Sequence, residues 1–593
     1  MKVSANRFCN LLMEIAASHG VRSVICSPGS RNAPLLIAAA GCQELQTRVV
    51  VDERVAAFIA LGEATVSRSP VMLVCTSGTA LLNYAPAVAE AFYSGIPLIV
   101  VSADRPMEWI DQDDSQTIRQ AGALDNFIKK SYDLPVFSPD DGKRGATLEW
   151  FAVRTVNDAL LTSLHPKQGP VHINVQLDVP LGALANPRED NPRIIRTLAP
   201  IGEYDRETIL GLARQAYGKR IMLLAGFMRP DHKLSRAVAM IASLPEVCVM
   251  AESVSNLDPS ITRLDNSGDW TMVDSVLWSL DKNLKEQLRP DIVISIGGAL
   301  ISRELKEYLR SYPPAEHWAV GWQDSVVDPL KSLTLRIEAS PARFIRQFAG
   351  ALRYVASSAR SCPEERYAEE WRKKRIQVAE ALDGFADKAP WSDLKVFHIL
   401  SQQDWRKSNL FLSNGTTVRY AQLFPMRAHA SFCNRGVSGI DGSTSTALGG
   451  ALSLQASDLS QSRNVSELQT VVITGDMSFC YDIGALACGL IPERMKIIVI
   501  NNGGGGIFRY IGSTSALPEK TLDRFFCADP GMDIQHVAEA FHLKVFCAES
   551  EERLINILPM FLQEEEASLL EIRTDGVLSG NIMKELKNTL SSC

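Results

Sequence analysis

Asp476 and Asn502 stand 26 positions apart, inside the stretch "GDMSFCYDIGALACGLIPERMKIIVINNGGGGIF". A carboxylate and an amide carbonyl are hard oxygen ligands. Mg²⁺ accepts such a pair while keeping waters and phosphate oxygens for the rest of its octahedron. The four glycines that follow let backbone carbonyl and N–H groups approach an ion and its phosphates closely. "TVVITGD" reads as a buried strand ending at Asp476, "YDIGALACGL" as helix, and "KIIVINN" as the next strand, ending at Asn501 and Asn502. That spacing suits a parallel crossover, which brings both ligands to the carboxyl edge of a sheet, where open α/β folds bind. A Gly-Asp step and a glycine run also serve ordinary turns, so a plain loop stays open as the other reading.

A second set of residues bears on substrate charge. "SPGSRNAPL" sets Ser30 and Arg31 after an early strand, and "SADRP" sets Arg105 after another. "SNGTTVRY" carries Arg419, and "CNRGVSGIDGS" carries Arg435 in a loop. A single arginine of this kind can be solvated or structurally paired. Several at predicted carboxyl edges point to a polyanion, because guanidinium forks match carboxylates.

The elements needed to hold these groups alternate along the chain. "VRSVICS", "TRVVV", "PVMLVCT", "IPLIVVS" and "GPVHINV" are short apolar runs separated by helical stretches such as "VAAFIALGEATV". Continuous apolar strands alternating with helices imply parallel sheets covered on both faces. The first block fades into the linker-like "LDVPLGALANPREDNPR". "KRIMLLAGF", "VCVMAES", "PDIVISIGG" and "HWAVGW" make a second block, closed by "SCPEERYAEEWRKKRIQVAEALDGF", expected to be a charged, exposed helix. "NLFLSNG", "ASFCNRG", "TVVITGD", "KIIVINN" and "LLEIRTD" make the third. The expectation is an α/β protein of three successive domains with mainly parallel sheets, over residues 1–185, 195–355 and 385–593.

With 593 residues the chain is too long for one core. Its 46% hydrophobic and 22% charged residues are ordinary for a globular protein. The net charge of -7, with no basic run, argues against nucleic-acid binding. Twelve cysteines stand singly, without zinc spacing, which suggests reduced thiols and a cytoplasmic setting. The polar-interrupted start reads as an amphipathic helix without a signal-peptide core, and no apolar run reaches bilayer length.

The Gly-Asp, gap and Asn-Asn pattern resembles the diphosphate-binding signature of the thiamine-diphosphate enzymes. The resemblance implies that fold, with pyrimidine-binding, central and diphosphate-binding domains. It implies thiamine diphosphate held through Mg²⁺ (or Mn²⁺) by Asp476, Asn502 and the carbonyl of Gly504, with Gly475, Ile507 and Phe508 beside the cofactor. Thiamine chemistry also needs a carboxyl group against the aminopyrimidine ring, in apolar surroundings that favour the neutral acid. In "TRVVVDERVAAFIALGEA", Glu53 has the family's strand-to-helix position; an acid there is also what a helix N-terminus favours.

"SPGSRNAPL", "DER", "TSGTA", "SADRP", "QTIRQ", "NRGVSGIDG" and "NNGGGGIF" together are similar to one branch of that family. That branch decarboxylates 2-oxoglutarate and adds the succinyl unit to isochorismate in menaquinone biosynthesis. The resemblance implies that Arg419 and Arg435 hold the distal carboxylate of the succinyl unit. Ser30, Arg31, Arg105 and Arg303 would face isochorismate, with Gln116 beside the reacting centre. Ile440 would be wedged under the bent cofactor, and Phe508 and Ile511 would line the apolar side. It also implies a homo-oligomer, dimer or tetramer, with the cofactor bridging two subunits. At Ser302 the family often has lysine and at Gly415 serine, so two contacts to substrate are in doubt. An acetolactate synthase-like member should show fewer loop arginines, and a catalytically dead binding protein would not need Glu53, Asp476 and Asn502 together.

Overall fold

Three parallel sheets form where the sequence runs through aliphatic and β-branched residues, and their central strands are buried along their length. The structure is a computed structural model, and it describes residues 2–136, 143–187, 191–198, 202–258, 270–358, 367–455 and 468–593. The first sheet has six strands, β1 (Ser23–Cys26), β2 (Gln46–Val49), β3 (Val71–Cys75), β4 (Leu98–Asp104), β5 (Ser131–Leu134) and β6 (Val171–Gln176), in the order β2-β1-β3-β4-β6-β5. Its neighbours are all parallel. Every residue of β3 and β4 is buried, as expected of strands covered on both faces.

The second sheet contains β7 (Ile221–Ala225), β8 (Val247–Ala251), β9 (Ile292–Ile296), β10 (Glu316–Val320) and β11 (Leu335–Ile337), in the parallel order β8-β7-β9-β10-β11. The third contains β12 (Trp405–Leu412), β13 (Ala428–Phe432), β14 (Gln469–Gly475), β15 (Lys496–Asn501), β16 (Lys544–Ala548) and β17 (Ser568–Arg573), ordered β13-β12-β14-β15-β17-β16. β14 and β15 are adjacent and parallel, so their ends lie side by side at one edge. β5, β11 and β16 are strands that the apolar runs did not mark; each is an edge strand, short and only partly apolar.

The chain packs as two compact units. One comprises Met1–Ala199, Asn434–Thr470 and Tyr481–Met495, and the other Pro200–Cys433, Val471–Cys480 and Lys496–Cys593. Within the first, helix α1 (Glu53–Ser67) crosses a later helix that starts at Ser443 and ends at Gln455. The crossing is backbone to backbone. A Cβ on Gly62 would overlap the carbonyl oxygen of Thr446, and one on Gly449 would overlap that of Ile59.

Two expectations need correction. The charged helix α2 (Tyr367–Lys388) is not an exposed one: Tyr367, Trp371, Arg375, Val378, Leu382 and Ala386 are buried. Those residues recur every three or four positions, which makes a stripe along one face. Arg375 belongs to that stripe because its guanidinium donates to the carbonyl of Val249 at the sheet below. Residues 361–366 of that stretch, and 188–190 of the linker-like segment, lie outside the described residues. The helix between β14 and β15 also differs from expectation. It starts at Asp476 itself, as α3 (Asp476–Tyr481), and resumes as the short α4 (Gly484–Ala487).

Candidate active site

In the second unit the expected metal ligands converge. Asp476, first residue of α3, is buried; its Oδ2 accepts from the Gly504 N–H at 2.8 Å and its Oδ1 from the Met477 N–H at 2.7 Å. Gly504 sits at φ +112°, and a Cβ there would overlap the carbonyl of Cys527, so only glycine fits. The Asn502 amide donates from Nδ2 to Asp393 Oδ2 at 2.7 Å. Sequence reasoning missed Asp393, which lies 109 positions from Asn502 with no local pattern to mark it.

Burial pushes the Asp476 carboxyl up to about 6, with the nearby charges of Asp393 and Asp529 adding to the rise and the Gly504 and Met477 N–H groups opposing it. A buried carboxylate with two acidic neighbours is relieved by a cation. Among the described residues no three His, Cys, Asp or Glu side chains form a metal cluster. The donors present, one carboxylate, one amide and one carbonyl, are hard oxygen ligands few enough for Mg²⁺ that completes its shell with phosphate and water. The glycine run leaves the backbone bare: a Cβ on Gly505 would meet Phe508 Cδ2 and Phe526 O, each at 2.7 Å. The residues therefore fit a metal-bound diphosphate.

Ile507 and Phe508 fall in the short 3-10 turn Gly506–Arg509 that follows, and the Ile511 N–H donates to Ile507 O at 3.2 Å. The Phe508 ring meets that of Phe526 at 5.5 Å between centroids. Gly475 ends β14, with open space where its Cβ would be. Arg419, on the helix α5 that runs Thr417–Leu423, donates to the Gly415 carbonyl. Its charge also reaches the partly buried Tyr510 and Asp274. Gly415 has φ +91°, so the glycine meets a backbone need that serine would meet badly. Arg303 begins α6 (Arg303–Ser311), is exposed, and pairs with Glu307 at 2.6 Å. Ser302 is the N-cap of α6, accepting from Leu305 N at 2.9 Å while its hydroxyl donates to Asp274. It is thus bound into the fold and not turned to a ligand.

In the first unit Glu53 is the first residue of α1, after an Asp52 cap that accepts from Val55 N at 3.2 Å. Val50 and Val55 beside it are buried, Val51 is exposed, and Glu53 itself is half-buried. Asn83 Nδ2 approaches Glu53 Oε2 at 3.4 Å. Arg54 donates to the Tyr481 carbonyl at 3.0 Å and lies over its ring. The loops after β1, β3 and β4 meet. Gly29 packs against the side chain of Thr76, and Gly78 against Gln116, itself at φ +57°. Gln120 fixes that contact by accepting from Gly78 N at 2.7 Å. Arg31 donates to Leu177 O at 2.9 Å; burial, and then the charge of Arg105, lower its pKa. Arg105 pairs with Asp114 at 2.9 Å. Ser30 precedes Arg31 in the same loop. The two guanidinium groups oppose each other, while the carboxylates of Asp178, Asp114 and Asp104 offset part of that charge at Arg31.

Arg435 is buried near Glu90, whose carboxylate accepts from Gly436 N at 2.7 Å and Val437 N at 2.8 Å. Ile440 is exposed in the loop before Ser443.

Residues 7–123 match the family model "Thiamine pyrophosphate enzyme, N-terminal TPP binding domain", and residues 414–572 match the corresponding C-terminal TPP binding domain. Similarity runs nearly end to end with proteins named 2-succinyl-5-enolpyruvyl-6-hydroxy-3-cyclohexene-1-carboxylate synthase. That of Porphyromonas gingivalis is 38% identical over 97% of this chain and 96% of its own. The chain belongs to this synthase family of thiamine-diphosphate enzymes. The Cytophaga hutchinsonii synthase is 34% identical over 97% of this chain and 98% of its own, and that of Bacteroides thetaiotaomicron 31% over 98% of each. Both family-model segments bear expected site residues, Glu53 in one and Asp476, Asn502 and Gly504 in the other. Among the described residues no helix is long and apolar enough to cross a membrane.

Proposed function

We propose that the chain decarboxylates 2-oxoglutarate and adds the succinyl unit to isochorismate, giving 2-succinyl-5-enolpyruvyl-6-hydroxy-3-cyclohexene-1-carboxylate and CO2. Near-full-length similarity to synthases of that name carries this reading. The contact of Asp476 with Gly504 supports the cofactor half of it.

Thiamine diphosphate, when bound, supplies a nucleophilic carbon that attacks the 2-oxo group and accommodates the electron pair left by CO2. Asp476, Asn502 and the Gly504 carbonyl would hold Mg²⁺ or Mn²⁺ against the diphosphate, with Gly475, Ile507 and Phe508 alongside. Glu53 would hold a proton at the pyrimidine nitrogen, and Ile440 would keep the cofactor bent. Arg419 and Arg435 would take the distal carboxylate of 2-oxoglutarate. Arg31, Arg105, Ser30 and Arg303 would take the carboxylates of isochorismate. Gln116, set beside Gly78, would orient the acceptor, and Phe508 and Ile511 would exclude water from it.

We further propose the three-domain division at 1–185, 195–355 and 385–593, a cytoplasmic location, and activity as a homo-oligomer. Exposed Val49, Val51, Leu82 and Tyr481 around Glu53 support a second copy covering that surface. The test is mass spectrometry of product from 2-oxoglutarate, isochorismate, thiamine diphosphate and Mg²⁺. CO2 released without the adduct would leave a decarboxylase; neither product would overturn the proposal.

A further inference from the structure

The second ligand of the proposed metal site is an amide, although a carboxylate would bind a hard cation more strongly. Asp393 offers a reason. It is the first residue of a helix, Asp393–Ser401, and is only 1% exposed. Its Oδ1 accepts from Thr574 Oγ1 at 2.6 Å, its Oδ2 accepts from Asn502 Nδ2 at 2.7 Å, and its N–H donates to Ser579 Oγ at 3.0 Å. Both oxygens of Asp393 act as acceptors, so the end of Asn502 that meets it is the NH2. The carbonyl oxygen must then face the other way, and it accepts no hydrogen bond among the described residues. The amide is wedged from the glycine loop as well: a Cβ on Gly506 would lie 2.7 Å from Asn502 Nδ2.

We infer that Asp393 is a positioning residue that locks the Asn502 amide with Oδ1 presented to the divalent cation, and that it is the reason position 502 carries an amide. This rests on the assignment of Asp476, Asn502 and Gly504 as the metal site. A carboxylate at position 502 would face the buried carboxylate of Asp393 at hydrogen-bond distance, and like charges that close disfavour one another strongly.

The experiment is Mn²⁺ binding to the full-length protein at saturating thiamine diphosphate, followed by electron paramagnetic resonance of free Mn²⁺, with thermal melts alongside. Asp393→Ala should weaken Mn²⁺ ten- to a hundredfold, the usual cost of losing a partner that orients a ligand. Asn502→Asp should weaken it at least tenfold despite adding an anionic ligand. Asp393→Asn should stay within about threefold of the original, because its own carboxamide oxygen can accept from Asn502 while its nitrogen turns to Thr574. The double variant Asp393→Asn/Asn502→Asp, with the donor moved to the other partner, should regain at least tenfold over Asn502→Asp alone. A merely structural Asp393 would not produce that reciprocal rescue. A double variant that binds no better than Asn502→Asp overturns the inference, as does a folded Asp393→Ala with unchanged affinity. Should Asp393→Ala not fold, the exchange pair decides alone. Asp476→Ala is the control: loss of Mn²⁺ there with no rescue in the double variant faults the positioning role, and Mn²⁺ retained there faults the metal site itself.

Discussion

The Oδ2 of Asp476 accepts a hydrogen bond from the backbone N–H of Gly504 at 2.8 Å, across 28 positions of sequence. The contact exists because β14 and β15 are parallel neighbours that end together, one at Gly475 and the other at Asn501. It places the only carboxylate of the proposed ligand set against the loop that supplies the other two ligands.

Asp476→Ala should therefore abolish retention of thiamine diphosphate, since Mg²⁺ loses its one charged protein ligand. Calorimetric titration with cofactor at increasing Mg²⁺ checks this. Undiminished affinity would remove Asp476 from the metal site.

Glu53→Gln separates chemistry from capping. If Glu53 only favoured the start of α1, its loss would cost about 1 kcal/mol or less and leave the rate nearly unchanged. As the acid that serves the cofactor, it should slow turnover by about a hundredfold or more with the melting temperature kept. Deuterium exchange at the thiazolium C2 of bound cofactor should slow in step. Exchange at the original rate would send the search for the acid elsewhere.

Arg419→Ala and Arg435→Ala should each raise the KM for 2-oxoglutarate by about ten- to a hundredfold, since a hydrogen bond to a charged group is worth about 1.5–3 kcal/mol. Cofactor affinity should hold. Steady-state kinetics with each substrate varied in turn would show whether the loss falls on isochorismate, in which case the two pockets are reversed.

Asp482 predicts a pH dependence. It is buried, its carboxylate accepts from Ser445 N at 2.6 Å and from Ser445 Oγ at 2.7 Å, and burial pushes it up to about 6. A carboxyl raised on folding holds its proton more tightly in the folded state. Its contribution to stability is complete below the ordinary carboxylate range and is lost as pH climbs through about 6. Melting of the cofactor-free protein from pH 4 to 6 should thus show Asp482→Asn gaining stability on the original with rising pH, by on the order of 2 kcal/mol across that window. Parallel curves would mean that Asp482 does not titrate there.

What the sequence made legible was local. Strand ends show as apolar runs stopping at a polar residue, which sets Asp476, Asn502 and Glu53 at sheet edges. Gly504 came only from the resemblance to the thiamine-diphosphate enzymes, since nothing in the glycine run itself singles it out. Asp393 was not legible, because its partner Asn502 is brought to it only by the third sheet. The burial of Arg375 was hidden by the charges around it, although the spacing of Tyr367, Trp371, Val378 and Leu382 on α2 carried the signal. Ser302 looked like a lost substrate contact, and the polar "SREL" after an apolar run was equally the mark of an N-cap. The crossing of α1 with the Ser443–Gln455 helix left no trace in pattern at all, since glycines at a close approach read like glycines in a loop.

That crossing has a consequence for synthesis. The face of α1 that bears Gly62 is completed by a segment beginning at Asn434, while the N-terminal segment of the same unit ends at Ala199. The ribosome must make roughly 375 residues between the end of α1 at Ser67 and the start of its partner helix at Ser443. At about 5–20 residues per second, the nascent α1 waits on the order of 20–75 s for its partner, with its close-approach stripe uncovered. The unit that begins first is thereby obliged to finish late. Its half-built state is the point at which chaperones, or a neighbouring nascent copy, have the longest access to it.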